Sequence, residues 1–524
     1  MHVDARRIEN GTTIEGDICI IGAGAAGISI ALEFMDGPFK VILLEGGGFE
    51  YEDRIQELYN GTTSGQPYYP IKSSELHYFG GTTGHWGGYC SPFDPIAFEK
   101  RSWIEKSGWP VNRDILDPYY KRACPILDIE NFEFDLKYWQ ERDPSLISMP
   151  FDDEVVWTKL WKFSAPTRFG TKFREPIVHA KNIYLYTYAN VVDITTNESV
   201  SEVRNVTFKN YAGITGSVTA RYFILACAGI QNPRILLAAN KQAPFGLGNE
   251  NDLVGRYFME HAEFKSAELW LNQKSDLKLY MIVQPRVQGE IAVKPKIQQE
   301  QEILNGIVSF IPLDYAKAMP SYIELWNTTD PRENEHRTRE AMSKTTGTPL
   351  HRIIERFRPP QSRLMHQAFQ MSIRMEQAPN PLSRVTLSGV KDELGMPRAS
   401  LHWAFTSKEK RSMRRIYEII GQQAGASGFG RVHLMEELWD ERDEKLPVTT
   451  SGGWHHMGTT RMSDDPKNGV VNADCRLHSI QNFYIAGGSI FPTGAGVNPT
   501  FTIVALAIRL ADHLKSLMDK SIPS

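Results

Sequence analysis

The clearest apolar pattern lies near the start of the chain. Ile18, Cys19, Ile20 and Ile21 form an unbroken apolar run. It is followed by Gly22, Gly24 and Gly27 and then by "ISIALEFM". A short apolar run closed by glycine predicts a buried strand, and the residues after it are helix formers. "KVILLEGG" (40–47) repeats the buried-strand pattern. Further short strands are predicted in 181–230, from "NIYLYTYANVVDI", "SEVRNVTFKN" and "RYFILACAG". Residues 265–310 and 384–404 alternate polar and apolar positions, as strands buried on one face do. Near the C-terminus, Phe483–Ala486 predicts a strand, and Gly487, Gly488, Gly494 and Gly496 a loop that backbone or ligand can approach closely. A helix is expected from Asn498–Pro499 onward, with Asn498 as N-cap and Pro499 in the first turn. Residues 313–368 break the pattern: they are polar, charged and contain proline.

A chain of 524 residues exceeds what one core usually serves, so two or more domains are expected. The composition, 41% hydrophobic and 23% charged, is that of an ordinary globular protein. A net charge of −4 gives no basic excess to attract nucleic acid or an anionic membrane. The cysteines, Cys19, Cys90, Cys124, Cys227 and Cys475, are scattered and form no Cys-x-x-Cys pair. That spacing points away from a disulfide framework and from a bound metal of the zinc-knuckle kind. The first residues lack the apolar core of a secretion signal, and no apolar run of about 18 residues exists to span a bilayer. A soluble, cytoplasmic protein is expected, without a membrane partner.

The glycine turn carries the first chemistry. Gly22 allows a tight turn, Gly24 lets backbone N–H groups reach a pyrophosphate, and Gly27 lets the helix lie close to the strand. Ala25 and Ala26 open that helix. Glu45 ends the second strand, 21 residues beyond Gly24, where an acid accepts hydrogen bonds from ribose hydroxyls. The arrangement predicts a dinucleotide site, and NAD and FAD use the same cradle.

Several motifs in order resemble the glucose-methanol-choline (GMC) oxidoreductases over nearly the full length. They are "GAGAAG" with "LLEGG", "GGTTGHWGG" (80–88), "SGWPVNRDILDPYYKRA" (107–123), "FILACAGIQNPRILL" (223–237), "LVGRYFMEH" (253–261), "EQAPNPLSRVTL" (376–387), "HHMGTTRM" and "NFYIAGGSIFPTGAGVNPTFTIVALA". The branch most resembled holds pyranose oxidases, fructose and glucose dehydrogenases and glycoside oxidases. The resemblance implies FAD and an α/β fold of two domains. One would be a Rossmann-like FAD-binding domain built from residues 1–100, 181–262 and 445–524. The other would be a substrate domain on an antiparallel β-sheet, from residues 101–180 and 263–444, in which about 313–368 read as an insertion beside the substrate entrance or as a helical excursion. Gly46, Gly81, Thr82, Thr83, His85, Trp86, Gly87, Gly88 and Tyr89 are expected beside the cofactor, as are Val192, Ala228, Gly229, Gly487, Gly488, Pro499 and Thr500. Noncovalent packing of the flavin beside His85 and Trp86 is expected, with a covalent bond to His85 as the alternative. Trp157, Trp161 and Trp326 are candidates for the pocket wall.

In the family a histidine lies four residues before the threonine of a Gly-Thr turn. His455 holds that place here, and its neighbour His456 falls at a variable position. Oxidising an alcohol removes a hydroxyl proton and a carbon-bound hydride. A neutral imidazole is a suitable proton acceptor near ambient pH. The resemblance assigns that role to His455 and assigns Asn498 to orient the same oxygen. Adjacent residues of an extended chain face opposite ways, so His456 is expected to point elsewhere. The implied activity is oxidation of a secondary hydroxyl of a sugar or glycoside, with O₂ or another electron acceptor reoxidising the flavin. Sterol or simple alcohol oxidation and flavin-dependent lyase chemistry are the alternatives within the family, and a non-catalytic flavin protein is the alternative outside it.

Overall fold

The computed structural model describes residues 1–165, 167–281, 287–313, 365–440, 446–447 and 450–520. The insertion expected at about 313–368, and Trp326 within it, lie almost wholly outside the described residues.

The first apolar run forms the strand Thr13–Ile21, the glycine turn follows, and the helix Ala25–Phe34 leaves it. Thr13–Ile21 lies between two parallel neighbours, Val41–Leu44 and Thr215–Leu225. Ile183–Thr187 adds a further parallel strand outside Val41–Leu44. On its other edge, Thr215–Leu225 pairs antiparallel with Val203–Lys209 and, further along, parallel with Phe483–Ile485. Every residue of Val41–Leu44 is buried, as expected of a parallel strand covered on both faces. The helix Ala25–Phe34 and the C-terminal helix Thr500–Asp519 pack on this sheet and share its core.

A second sheet is antiparallel throughout. Its order is Gly430–Leu434, Ala262–Asp276, Met365–Met375, Gly306–Pro312, Val287–Val293, Val156–Phe163 and Tyr89–Cys90. One face buries Phe264, Met371 and Ile373 against Met413, Ile416, Tyr417 and Ile420 of the helix Ser407–Ala426. Thr406 and Glu409 close the start of that helix with a reciprocal capping box. The strands expected within 384–404 are present as Arg384–Lys391 and Pro397–Trp403. They do not join the large sheet, but form a sheet of three with Thr62–Gly65. Among the described residues no helix is long and apolar enough to cross a membrane.

Arg101 and Glu376 form a bidentate ion pair in which both side chains are only 1% exposed. Glu376 also accepts the backbone N–H of Asn305 at 2.7 Å, tying the segment around Arg101 to the ends of two neighbouring strands. Removing one member of such a pair leaves a buried charge without its partner. Glu376→Ala is therefore expected to cost about 3–5 kcal/mol, read as a lowered unfolding midpoint in denaturant. A loss below about 1 kcal/mol would mean that the pair behaves as a solvated surface pair.

Candidate functional site

The turn after the first strand is shaped by steric need. A Cβ on Gly27 would lie 1.9 Å from the carbonyl oxygen of Gly22, so only glycine lets the helix start this close beneath the turn. Gly24 is different: nothing lies within 4 Å on the side where its Cβ would project. Glu45 holds the turn from the next strand. Its carboxylate accepts the N–H of Ala23 at 3.0 Å and of Gly47 at 2.9 Å. Burial pushes the Glu45 carboxyl up to about 7, against those backbone hydrogen bonds.

The turn opens onto a cavity of about 690 Å³ that runs from Glu45 and Val192 to His455 and Asn498. Every cofactor or catalytic position named from the sequence lines it except Gly27, Gly88 and Tyr89. Gly27 serves the packing just described. The carbonyl of Gly88 accepts the N–H of Ser164, and Tyr89 pairs into the antiparallel sheet with its ring against Trp161 and Phe163. Trp161 is fully buried, and neither it nor Trp157 reaches the cavity wall. His85 and Trp86 do line it. The indole N–H of Trp86 donates to the carbonyl of Thr167 at 2.8 Å. Burial, aided by Arg168, pulls the His85 imidazole down to about 4.

Asn498 departs from its expected role as a cap. The helix begins at Thr500, because Pro499 already has helical angles (φ −79°, ψ −17°) and stands at the cap position. The Asn498 side chain caps nothing. Its Oδ1 is buried without a hydrogen-bond partner among the described residues, and Asn498 lines the cavity that His455 also lines.

The two adjacent histidines diverge. His456 faces a buried polar network, with Nδ1 2.8 Å from Glu75 Oε1 and Nε2 2.7 Å from the Tyr68 hydroxyl. Tyr68 donates its one proton to Glu260 Oε2 at 2.6 Å, so its oxygen accepts from His456. With a carboxylate accepting at its other nitrogen, His456 is an imidazolium. Burial pulls its pKa down, but the hydrogen bond and charge of Glu75 and the charge of Glu260 outweigh burial and leave it raised.

His455 belongs to a second set. Backbone hydrogen bonds in both directions between Met259 and Met457 lay the segment 259–263 antiparallel beside 451–457. Between them, Glu260 Oε1 accepts the N–H of His261 at 2.8 Å and of His455 at 2.6 Å. His261 Nδ1 stands 2.9 Å from His455 Nδ1, and His261 Nε2 stands 2.5 Å from the carbonyl oxygen of Ala495. Burial, then the charge of Arg374, pulls His261 down to about 3. Burial, then His261, Arg374 and His456, pulls His455 well below the ordinary histidine value.

The antiparallel sheet closes the cavity with a polar face. Glu263 and Arg374 are directly opposite each other across two strands, with Arg374 Nε 2.9 Å from Glu263 Oε1. Lys265 and Ser372, two residues away on each strand, line the same wall. Sequence alternation located these strands, but charged positions on an alternating strand read as a solvated face. Glu75, Tyr68 and Glu260 carried no motif of their own. The motif "LVGRYFMEH" contains Glu260 and His261 but assigned neither a role.

A bound FAD fits this cavity. Nothing lies within 4 Å of the side where Gly24 or Gly487 would carry a Cβ, so backbone is exposed to a ligand at both glycine loops. The N-terminus of the helix Ala25–Phe34 faces the cavity through Gly24, Ala25 and Ala26, where backbone N–H groups favour a pyrophosphate. The unpartnered Oδ1 of Asn498 marks the other end as built for a further polar group.

Residues 379–507 match the family model described as GMC oxidoreductase. The chain is similar to the 2-methyl-1,2-propanediol dehydrogenase of Mycolicibacterium austroafricanum, at 23% identity over 95% of both chains. It is also similar to the fructose dehydrogenase large subunit of Gluconobacter japonicus, at 24% identity over 96% of this chain and 98% of that one. In fold it resembles the crystal structure of pyridoxine 4-oxidase from Mesorbium loti, with a TM-score of 0.58 at 16% identity, over 95% of this chain and 99% of that one. A glycine turn and C-terminal glycine loop on one cavity, a family model matched over residues 379–507, and relatives aligned almost end to end agree in likening this chain to the GMC oxidoreductases.

Proposed function

We propose that this protein is an FAD-dependent oxidoreductase that oxidises a secondary hydroxyl of a sugar or glycoside to a carbonyl. The observation that supports this reading is that His455 and Asn498 both line the cavity that both glycine loops open onto. Bound FAD supplies the hydride acceptor. The residues of the chain do the rest. His455, held neutral, accepts the hydroxyl proton as the carbon–hydrogen bond breaks. Asn498 donates an N–H of its side-chain amide to the same oxygen and fixes its direction. Glu263, Lys265, Ser372 and Arg374 line the same cavity and offer donors and acceptors there, which suits a ligand bearing several hydroxyl groups.

Similarity to a diol dehydrogenase makes a small vicinal diol the competing substrate class. The holoenzyme, mixed without oxygen with monosaccharides, O- and C-glycosides, small diols, sterols or choline, separates the two. Sugars or glycosides are expected to bleach the oxidised flavin fastest. Bleaching by diols alone, or by no alcohol, would replace the sugar reading. His455→Ala is expected to slow reduction by about 10²–10⁴-fold while the flavin stays bound, and an unchanged rate would remove His455 from the chemistry. The pH profile follows from the depressed His455 pKa. A base whose pKa lies well below the ordinary value of about 6.5 stays unprotonated as pH falls. The kcat/KM for sugar is expected to be level from pH 8 to 6.5 and to decline only below that. A decline centred at or above 6.5 would contradict the assignment.

A further inference from the structure

We propose that His261 is a positioning residue that selects which ring nitrogen of His455 takes the substrate proton. The inference rests on the reading of His455 as the proton acceptor. His261 itself is fully buried and does not line the cavity. It stands behind the wall, between His455 and the loop that leads to Asn498.

A carbonyl oxygen only accepts, so the short contact from His261 Nε2 to the Ala495 oxygen requires a proton on Nε2. His261 is fully buried, and its depressed pKa keeps it neutral, so its Nδ1 then carries a lone pair. Two ring nitrogens 2.9 Å apart cannot both accept, so the proton between them belongs to His455 Nδ1. His455 is neutral as well, and the remaining nitrogen, Nε2, is left as its acceptor. No protein partner engages that Nε2 among the described residues, while the ring lines the cavity. The chain of constraint therefore starts at a backbone carbonyl and ends at the atom that removes the proton.

Two further features make the arrangement firm. Glu260 Oε1 accepts the backbone N–H of both histidines, which fixes their separation before the rings make contact. Ala495 lies three residues before Asn498, so the carbonyl that orients His261 belongs to the loop that delivers the second polar group. One imidazole thus keeps the base and Asn498 in register.

The test uses the holoenzyme with ¹⁵N-labelled histidine, the His455 signals being assigned by their loss in His455→Asn. In the unaltered protein, His455 is expected to be protonated at Nδ1 and bare at Nε2. His261→Leu removes both the acceptor and the donor. It is expected to move the His455 proton to Nε2 and to slow flavin reduction by sugar by about 10²-fold. In His261→Gln, the side-chain amide presents an acceptor to His455 and a donor to Ala495 together. This variant is expected to restore the Nδ1-protonated form and most of the rate, which a purely space-filling role would not. A His455 ring protonated at Nε2 in the unaltered protein overturns the proposal even if the Leu variant does not fold. So does a Leu variant whose tautomer is unchanged. A tautomer that moves with no loss of rate supports the hydrogen-bond assignment and instead removes His455 as the base.

Discussion

One buried carboxylate organises the reactive end of the molecule. Glu260 is fully excluded from solvent, where a bare charge is costly, yet it is met by three donors: two backbone N–H groups and the Tyr68 hydroxyl. The two backbone groups belong to residues 194 apart in sequence. Satisfying the carboxylate therefore requires strands from the middle and the end of the chain to lie side by side, and the spacing of His261 and His455 follows from that requirement. The same carboxylate reaches, through Tyr68, the imidazolium of His456. A single acid thus fixes the place of the neutral histidine and helps hold the charge of its neighbour.

The adjacent histidines show how the same side chain serves two ends. Burial acts against the charge on both. At His456, two carboxylates, Glu75 and Glu260, reverse the sign of the effect. At His455, the neighbours are another imidazole and the Arg374 guanidinium, which add to it. The contrast arises from which way each ring points, which the alternation of an extended backbone dictates. It leaves a cation and a neutral imidazole side by side at the cavity, the cation turned into the Glu75–Tyr68–Glu260 network.

Much of this was legible in the sequence where backbone geometry demands a particular residue. Gly22 and Gly27 are forced by close approach, Glu45 by its place at a strand end, and His455 by its distance from Thr459. The same signals overshot at Gly88 and Tyr89, because a glycine-rich motif does not reveal where the chain leaves the cavity for a sheet. Asn498 was legible as a position and misread as a cap, because the helix begins at Thr500, one residue later than expected, and Pro499 stands at the cap. Glu75, Tyr68 and Glu260 were not legible. Each is an ordinary residue whose function comes from a neighbour hundreds of positions away. Arg374 and Glu263 meet only through strand register, which polar–apolar alternation leaves open.

The sheet that carries the glycine turn also sets an order of events. Thr13–Ile21 finds one neighbour about twenty residues later, but its other neighbour is Thr215–Leu225. That strand in turn waits for Phe483–Ile485, and the helix Thr500–Asp519 covers the result. During synthesis at about 5–20 residues per second, the first strand is out of the ribosome for on the order of half a minute before the last helix exists. Until then the nucleotide cradle lacks its far wall. Cofactor capture therefore waits until these distant segments have joined the first strand.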